Sequence, residues 1–175
     1  NLLPALPVLL VEDAVRAAYP ASRGQSRTGA IVVETYLTGN DYRCLVIGGK
    51  VAAIAERVPA SVTGDGEQTL RELVDIANQD PRRGIGHEKV LTRIKIDEAA
   101  EELVRAQGFG LDDTPPKGTW VKLALTGNMS TGGISIDQTD EAHPDNVEIA
   151  EEAARVVGLD VAGIDFIAPD LAEPV

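Results

Sequence analysis

Aromatic side chains make up only 3% of this 175-residue sequence, so its core has to be assembled from Val, Leu, Ile and Ala, as in many α/β proteins. The same shortage leaves few rings on which nucleic-acid bases could stack. Basic residues are scarce as well. Sixteen Lys and Arg face 28 Asp and Glu, and the net charge of -12 repels a phosphate backbone while drawing in a cationic substrate. Nucleic acid is therefore excluded as a partner. The one cysteine, Cys44, cannot form an internal disulfide; it reads as a small core residue and assigns the chain to a reducing compartment, the cytoplasm. The apolar opening NLLPALPVLLV holds two prolines in eleven residues and is too short to span a membrane. It also lacks a basic leader and a small-residue cleavage site, so neither a membrane partner nor a targeting signal is expected. The first residue is not Met, and the chain reads as a piece of something longer. What remains, with 43% hydrophobic residues and a mean hydropathy near zero, is one well-buried domain.

Periodicity divides the chain as follows. Glu12 to Ala18 is helical, and Pro20 through Thr28 is polar and loop-like. Ala30 to Val33 is a continuous β-branched run that suits a strand covered on both faces. Leu37-Thr38-Gly39-Asn40 breaks it, and Cys44 to Ile47 and Val51 to Ala55 form a hairpin about the tight turn Gly48-Gly49. After the turn Val62 to Gly66, Thr69 with Glu72 signals a capping box for a helix reaching about Gln79, with Leu70, Leu73, Val74 and Ala77 on its core face. Asp97 caps a helix from Glu98 to Gln107 that Gly108 closes. Thr119 to Leu125 reads as a strand. Pro144 opens a helix to about Val157, ended by Gly158, and Asp160 to Ala168 is the final strand. No fixed-period repeat occurs. Strand pairs alternating with helices predict an α+β or α/β fold, an antiparallel or mixed sheet with helices packed on one side.

Polar residues in special places carry the chemistry. Glu34 and Asp41 punctuate apolar runs at a bend; each fits either a placed group at a small-molecule corner or an ordinary strand-end and turn acid. The stretch DPRRGIGHEKVLTRIK, Asp80 to Lys95, is strongly basic in an acidic chain, either as a solvated loop or as a surface for anionic groups, and His87 within it stays a candidate. Its glycines complete no Walker or dinucleotide pattern. GNMSTGG, Gly127 to Gly133, can present backbone N–H groups and hydroxyls to an anion. His143, just before Pro144, reads as a helix cap. Asp165 sits inside the apolar strand GIDFIA, where an ionised carboxylate is costly unless a cation or donor meets it.

Two strings then point to a family. ETYLTGNDYRCLVIGGKVAAIAERVPASVTGDG resembles the adenine-binding hinge of the ATP-grasp ligases. NMSTGGISIDQTDEAHPDN resembles the NxSTGG, ID, TD and HPDN sequence of the branch holding the cyanophycin synthetases, with the glutathione-synthetase-like ligases near it. The resemblance runs from about Val11 to Pro169 and implies an ATP-grasp C-terminal subdomain. Hinge strands would occupy residues 30–58, a helical insert about 62–110, and the glycine-rich loop with the metal-ligand strand 119–169. It implies that Glu34 meets the adenine edge, the backbones of Tyr36 and Leu37 complete that recognition, and Asp41 holds the ribose. Asn128, Ser130, Thr131 and Gly132 would line the pocket where a substrate carboxylate meets the triphosphate end. Asp165 would be a Mg2+ ligand, with no catalytic residue assigned. The implied activity is ATP- and Mg2+-dependent amide formation through an acyl phosphate, on aspartate and arginine or on small peptides, in a longer protein that is a homo-oligomer. Where the family carries an arginine before the loop this chain has Ala124, with Lys122 two residues earlier. The lysines that hold the triphosphate are expected before the chain, and the Glu and Asn that complete the metal site after it, so the stretch alone is expected to be inactive. A non-catalytic nucleotide-binding or assembly module is the remaining alternative.

Overall fold

The computed structural model describes residues 8–33, 37–86 and 88–175. Glu34 and Tyr36 of the expected hinge, and His87, lie outside the described residues. The chain divides into two units, one reaching to Leu37 and one from Thr38 to Val175.

In the first unit α1, Val8–Gln25, runs straight through Pro20, where a loop was expected. Proline removes one backbone hydrogen bond, but with Ala17, Ala18 and Ala21 around it the local preference stays helical. Ala30 to Val33 does not form the expected strand, and Val32 and Val33 are 77% and 66% exposed. A β-branched run becomes a strand only against a ladder partner, and among the described residues it has none.

The second unit is organised by a four-stranded, wholly antiparallel sheet. In chain order the elements of this unit are β1 (Asn40–Ile47) and β2 (Lys50–Val58), then β3 (Ser61–Thr63), α2 (Leu70–Ala77), β4 (Arg83–Gly84), β5 (Leu91–Thr92), α3 (Glu98–Ala106) and β6 (Trp120–Lys122), then β7 (Ile134–Asp137), α4 (Pro144–Val157) and β8 (Val161–Ala168). The main sheet has the order β7-β2-β1-β8. Gly48 and Gly49, both at positive φ, make the expected two-residue hairpin turn between β1 and β2. Alternation along β1 sends Tyr42, Cys44 and Val46 inward to meet Ile54, Ala162 and Ala168, and α4 closes this layer with Ala150 and Ala154, whose small side chains let helix and sheet approach closely. Burial pushes the Cys44 thiol up to about 11, as befits an inert core residue.

A second core lies around α2 and α3, where Leu70, Leu73, Val74 and Val104 pack on Val62, Val121 and Leu123. The capping box forms as expected: the Thr69 hydroxyl accepts from the Glu72 amide and the Glu72 carboxylate accepts from the Thr69 amide at 2.9 Å. Asp97 caps α3 and His143 caps α4, its Nδ1 accepting from the Asp145 amide at 3.2 Å. The strand expected over Thr119 to Leu125 is only three residues long. Beyond it the amides of Leu123 and Ala124 both turn to the carbonyl of Ala60, so one ladder position receives two donors and the register ends.

Candidate functional site

The face of the main sheet opposite α4 carries the charges. Asp41 and Arg43 stand two residues apart on β1 and so share this face. Register sets Asp41 against Arg57 of β2, and Arg43 against Asp165 of β8. Arg43 grips Asp165 with both arms of its fork, Nε to Oδ1 at 2.8 Å and Nη2 to Oδ2 at 2.9 Å. Arg57 donates from Nε to Asp41 Oδ1 at 3.0 Å and lies 3.4 Å from Asp165 Oδ2. The four side chains form one chain of contacts, Asp41–Arg57–Asp165–Arg43.

Asp165, a carboxylate inside an apolar strand, needs a cation, and two guanidinium groups supply it. The hydrogen bond from Arg43 holds its carboxyl below the ordinary value of 3.8, with the charges of Arg57 and Arg43 adding to the effect against partial burial. A depressed carboxylate pKa contributes stability that is complete above the unfolded-state value and is lost as pH falls through the folded one. The stability difference between wild type and Asp165→Asn is therefore expected to be full at about pH 6 and to shrink as pH drops below the ordinary carboxylate value. Urea midpoints of the two proteins across that range measure it, and a difference that grows on acidification contradicts the assignment.

The glycine-rich loop borders this face. It approaches the end of β2 backbone to backbone: a Cβ on Gly127 would meet the Arg57 carbonyl oxygen at 2.3 Å, and one on Gly133 the Val58 oxygen at 2.7 Å. The turn Met129–Thr131 is a short 3-10 helix, and the amides of Thr131, Gly132 and Gly133 all bond to carbonyls of Asn128 and Met129. Those three N–H groups are consumed within the turn, so the expected cradle of freed amides is not formed by them. The side chains take different directions. Asn128 and Met129 line a cleft of about 350 Å³ on the sheet face with Arg43, Leu45, Ala55 and Arg57. Ser130 and Thr131 line another, of about 690 Å³, against α3. Gly132 packs on Ile94, and its carbonyl accepts from Arg83 Nη1 at 2.8 Å. Asp41 and Asp165 are thus brought together on the sheet with Asn128 at the rim, while Ser130 and Thr131 stand across the loop. Leu37 is exposed in the first unit.

Arg43, Arg57 and Arg83 were not singled out by the sequence reading. The signal for Arg43 was present: a charge at alternate spacing from Asp41 inside an apolar strand marks a second polar position on one face. Arg83 was hidden in the basic stretch. Far from being solvated, it is half-buried and its Nη1 bonds to both Thr92 O and Gly132 O at 2.8 Å, tying β5 to the glycine loop.

No model of a known family matches the chain. It is 48% identical over 163 residues, 93% of its length, to the cyanophycin synthetase of Synechocystis sp. (strain ATCC 27184 / PCC 6803 / Kazusa), of which it covers 19%. It is 40% identical over 162 residues to the glutathione biosynthesis bifunctional protein of Clostridium perfringens (strain 13 / Type A), covering 93% of this chain and 20% of that protein. In fold it is similar to a bifunctional glutathione synthetase from Pasteurella multocida, with a TM-score of 0.69 and 40% identity over 79% of this chain and 19% of that one. The chain spans about a fifth of the length of the relatives it matches. The resemblance read from its motifs is borne out in sequence and in fold.

Proposed function

We propose, on the premise that this chain is a homologue of one stretch of the cyanophycin synthetases and has the ATP-grasp fold, that it forms part of an ATP-dependent ligase that joins a carboxylate to an amine. The observation that carries the reading is the charged sheet face with the glycine-rich loop at its rim, in a chain 48% identical to those synthetases. Aspartate and arginine are the proposed substrates of the longer protein. The glutathione-forming reading rests on a lower identity, 40%.

In this reading ATP lies over the face of the main sheet, with apolar Leu45, Ala53 and Ala55 as a wall and Asp41 near the ribose. Glu34 and the backbones of Tyr36 and Leu37 are proposed adenine contacts on the motif resemblance alone. Mg2+ at a nucleotide takes one or two carboxylates and completes its shell with phosphate oxygens and water. Asp165, half-exposed and a hard oxygen donor, would be one such ligand once a phosphate draws Arg43 away from its oxygens, while among the described residues no three His, Cys, Asp or Glu side chains gather to hold a metal alone. When bound, the ion would offset charge on the triphosphate. Arg43 and Arg57 border the same cleft, where their guanidinium groups can pair with phosphate oxygens and stabilise the anionic acyl-transfer step. Ser130 and Thr131 would hold the substrate beyond the loop. Among the described residues no helix is long and apolar enough to cross a membrane; a cytoplasmic, homo-oligomeric enzyme is the proposal.

The longer protein is expected to release phosphate only when ATP, Mg2+, a carboxylate and an amine are all present. Glu34→Ala and Asp41→Ala are expected to weaken its ATP affinity by about tenfold each, the weight of one charged hydrogen-bonding group. Phosphate release that ignores the amine removes the ligase reading, and unchanged ATP affinity removes the two acids from the site.

A further inference from the structure

Arg83 differs from its neighbour in the basic stretch. Arg82 pairs with Asp80 at 2.7 Å on the surface, whereas the half-buried Arg83 has no ion-pair partner among the described residues. A cation withdrawn from water has to find acceptors elsewhere. Arg83 finds two carbonyls, its Nη1 donating to Thr92 O and to Gly132 O, each at 2.8 Å. Burial pushes its pKa down, and a guanidinium keeps its charge even so.

The two carbonyls belong to separate segments. Thr92 ends β5, which is joined to β4 by the Leu91 amide on Arg82 O and the Arg93 amide on Gly84 O, both at 2.9 Å. Two residues further on, Asn78 grips Ile94 as a neighbouring strand would, its side chain accepting from Ile94 N at 2.8 Å and donating to Ile94 O at 2.9 Å. The segment 91–94 is therefore fixed from two sides. Gly132 sits on it: at φ +94°, and with the place of a Cβ only 2.9 Å from Ile94 Cα, only glycine fits.

From Gly132 the hold continues into the loop. The peptide between Gly132 and Gly133 accepts from Arg83 at its carbonyl and donates from its N–H to Asn128 O at 3.1 Å. A positive charge at the carbonyl end polarises this peptide and strengthens the donor at its other end, as hydrogen bonds in series do. Asn128 O also receives the Thr131 amide at 3.1 Å and the Thr131 hydroxyl at 2.9 Å. A chain of contacts that starts at Arg83 thus ends at Asn128, whose side chain borders the sheet-face cleft with Arg43 and Arg57. Arg83 itself lines neither cleft beside the loop. On the β2 side the loop is stopped by contact at Gly127 and Gly133; on the far side Arg83 supplies attraction.

We propose that Arg83 is a positioning residue, whose guanidinium, acting through the Gly132–Gly133 peptide, fixes Asn128 at the rim of the nucleotide face. The proposal rests on the ligase reading for the effect on turnover, and on the geometry alone for the hold on the loop.

R83M keeps the length of the side chain and removes its donors, while R83K restores a cation with three of them. In the 15N-labelled chain R83M is expected to speed hydrogen exchange of the Thr131 and Gly133 amides by about tenfold or more and to shift the Gly133 proton upfield, and R83K to restore most of both. The Leu70 amide, bonded to Asp113 O in the second core, is expected to exchange as in wild type. In the longer protein R83M is expected to lower kcat on the order of 100-fold, the cost of a displaced group, with KM for ATP nearly unchanged because the proposed adenosine contacts are untouched. R83K is expected to recover part of that loss. A side chain that only fills space gives the opposite order, since Met packs a half-buried site without desolvating a charge. Turnover of R83M equal to or above that of R83K therefore overturns the proposal, as do unchanged exchange at Thr131 and Gly133, or loosened amides with turnover intact. If R83M unfolds, the wild-type chain decides: an Nη1 held by two carbonyls is expected to show separate, slowly exchanging protons, and a single averaged guanidinium signal overturns the proposal. Failure of the ligase reading shows elsewhere, because phosphate release without the amine discards ligation and leaves the exchange result standing.

Discussion

Replacing Asn146 by alanine is expected to destabilise the second unit by about 2–4 kcal/mol, the cost of leaving several buried polar groups without partners. Asn146 is completely buried in the first turn of α4. Its Nδ2 donates to Leu171 O at 2.9 Å and to Glu173 O at 2.8 Å, and its Oδ1 accepts from the Val175 amide at 3.0 Å. One side chain thus satisfies three backbone groups of the segment that follows β8, and Leu171 is held in the core beside it. Alanine removes all three bonds and opens a cavity as well. Asn146→Asp, which keeps the shape but loses both donors and introduces a charge, is expected to cost at least as much. Urea denaturation measures both, and a loss below about 0.5 kcal/mol for alanine would show that water replaces the amide without penalty.

Gly127→Ala is expected to strike the site harder than the fold. The added methyl would lie 2.3 Å from the Arg57 oxygen and 2.6 Å from its carbon, both backbone atoms that cannot swing aside. Either the loop or the end of β2 has to move, and Arg57 is the residue that holds Asp41 and reaches Asp165. Overpacking of this kind costs about 1–3 kcal/mol in stability. Displacing catalytic or binding groups by about 1 Å costs on the order of 100-fold in turnover of the longer protein. Gly24→Ala, where nothing lies within 4 Å, is the contrast and is expected to leave turnover unchanged. Wild-type kinetics from Gly127→Ala would mean that the loop is not fixed by this contact.

These two residues also mark where the sequence is readable and where it is not. Local devices are legible because their partners are near in the chain: Thr69 with Glu72, the Gly48-Gly49 turn, Pro144 behind the His143 cap, each formed as read. Asp165 could be recognised as needing a cation, but its partner lies 122 residues away, and nothing local distinguishes Arg43 from other arginines until register pairs β1 with β8. Asn146 looks like an ordinary first-turn residue, since only the return of the chain after β8 buries it. The glycines of GNMSTGG suggest freed amides when seen in sequence alone. Their reason is close approach to β2 and Ile94, a distance between segments that no local pattern encodes. Ala30 to Val33 fails in the opposite sense: its composition announces a strand, but a strand is a property of a pair.

The quartet Asp41–Arg57–Asp165–Arg43 contains as many negative as positive charges. A phosphate arriving at this face does not meet bare cations. It exchanges one counterion for another, and the arginine it gains is one a carboxylate gives up. Added salt weakens the old pair and the new one alike, so binding there should vary less steeply with ionic strength than at an uncompensated basic patch. In a protein of net charge -12, a locally neutral patch also spares an anionic ligand part of the repulsion it meets over the rest of the surface.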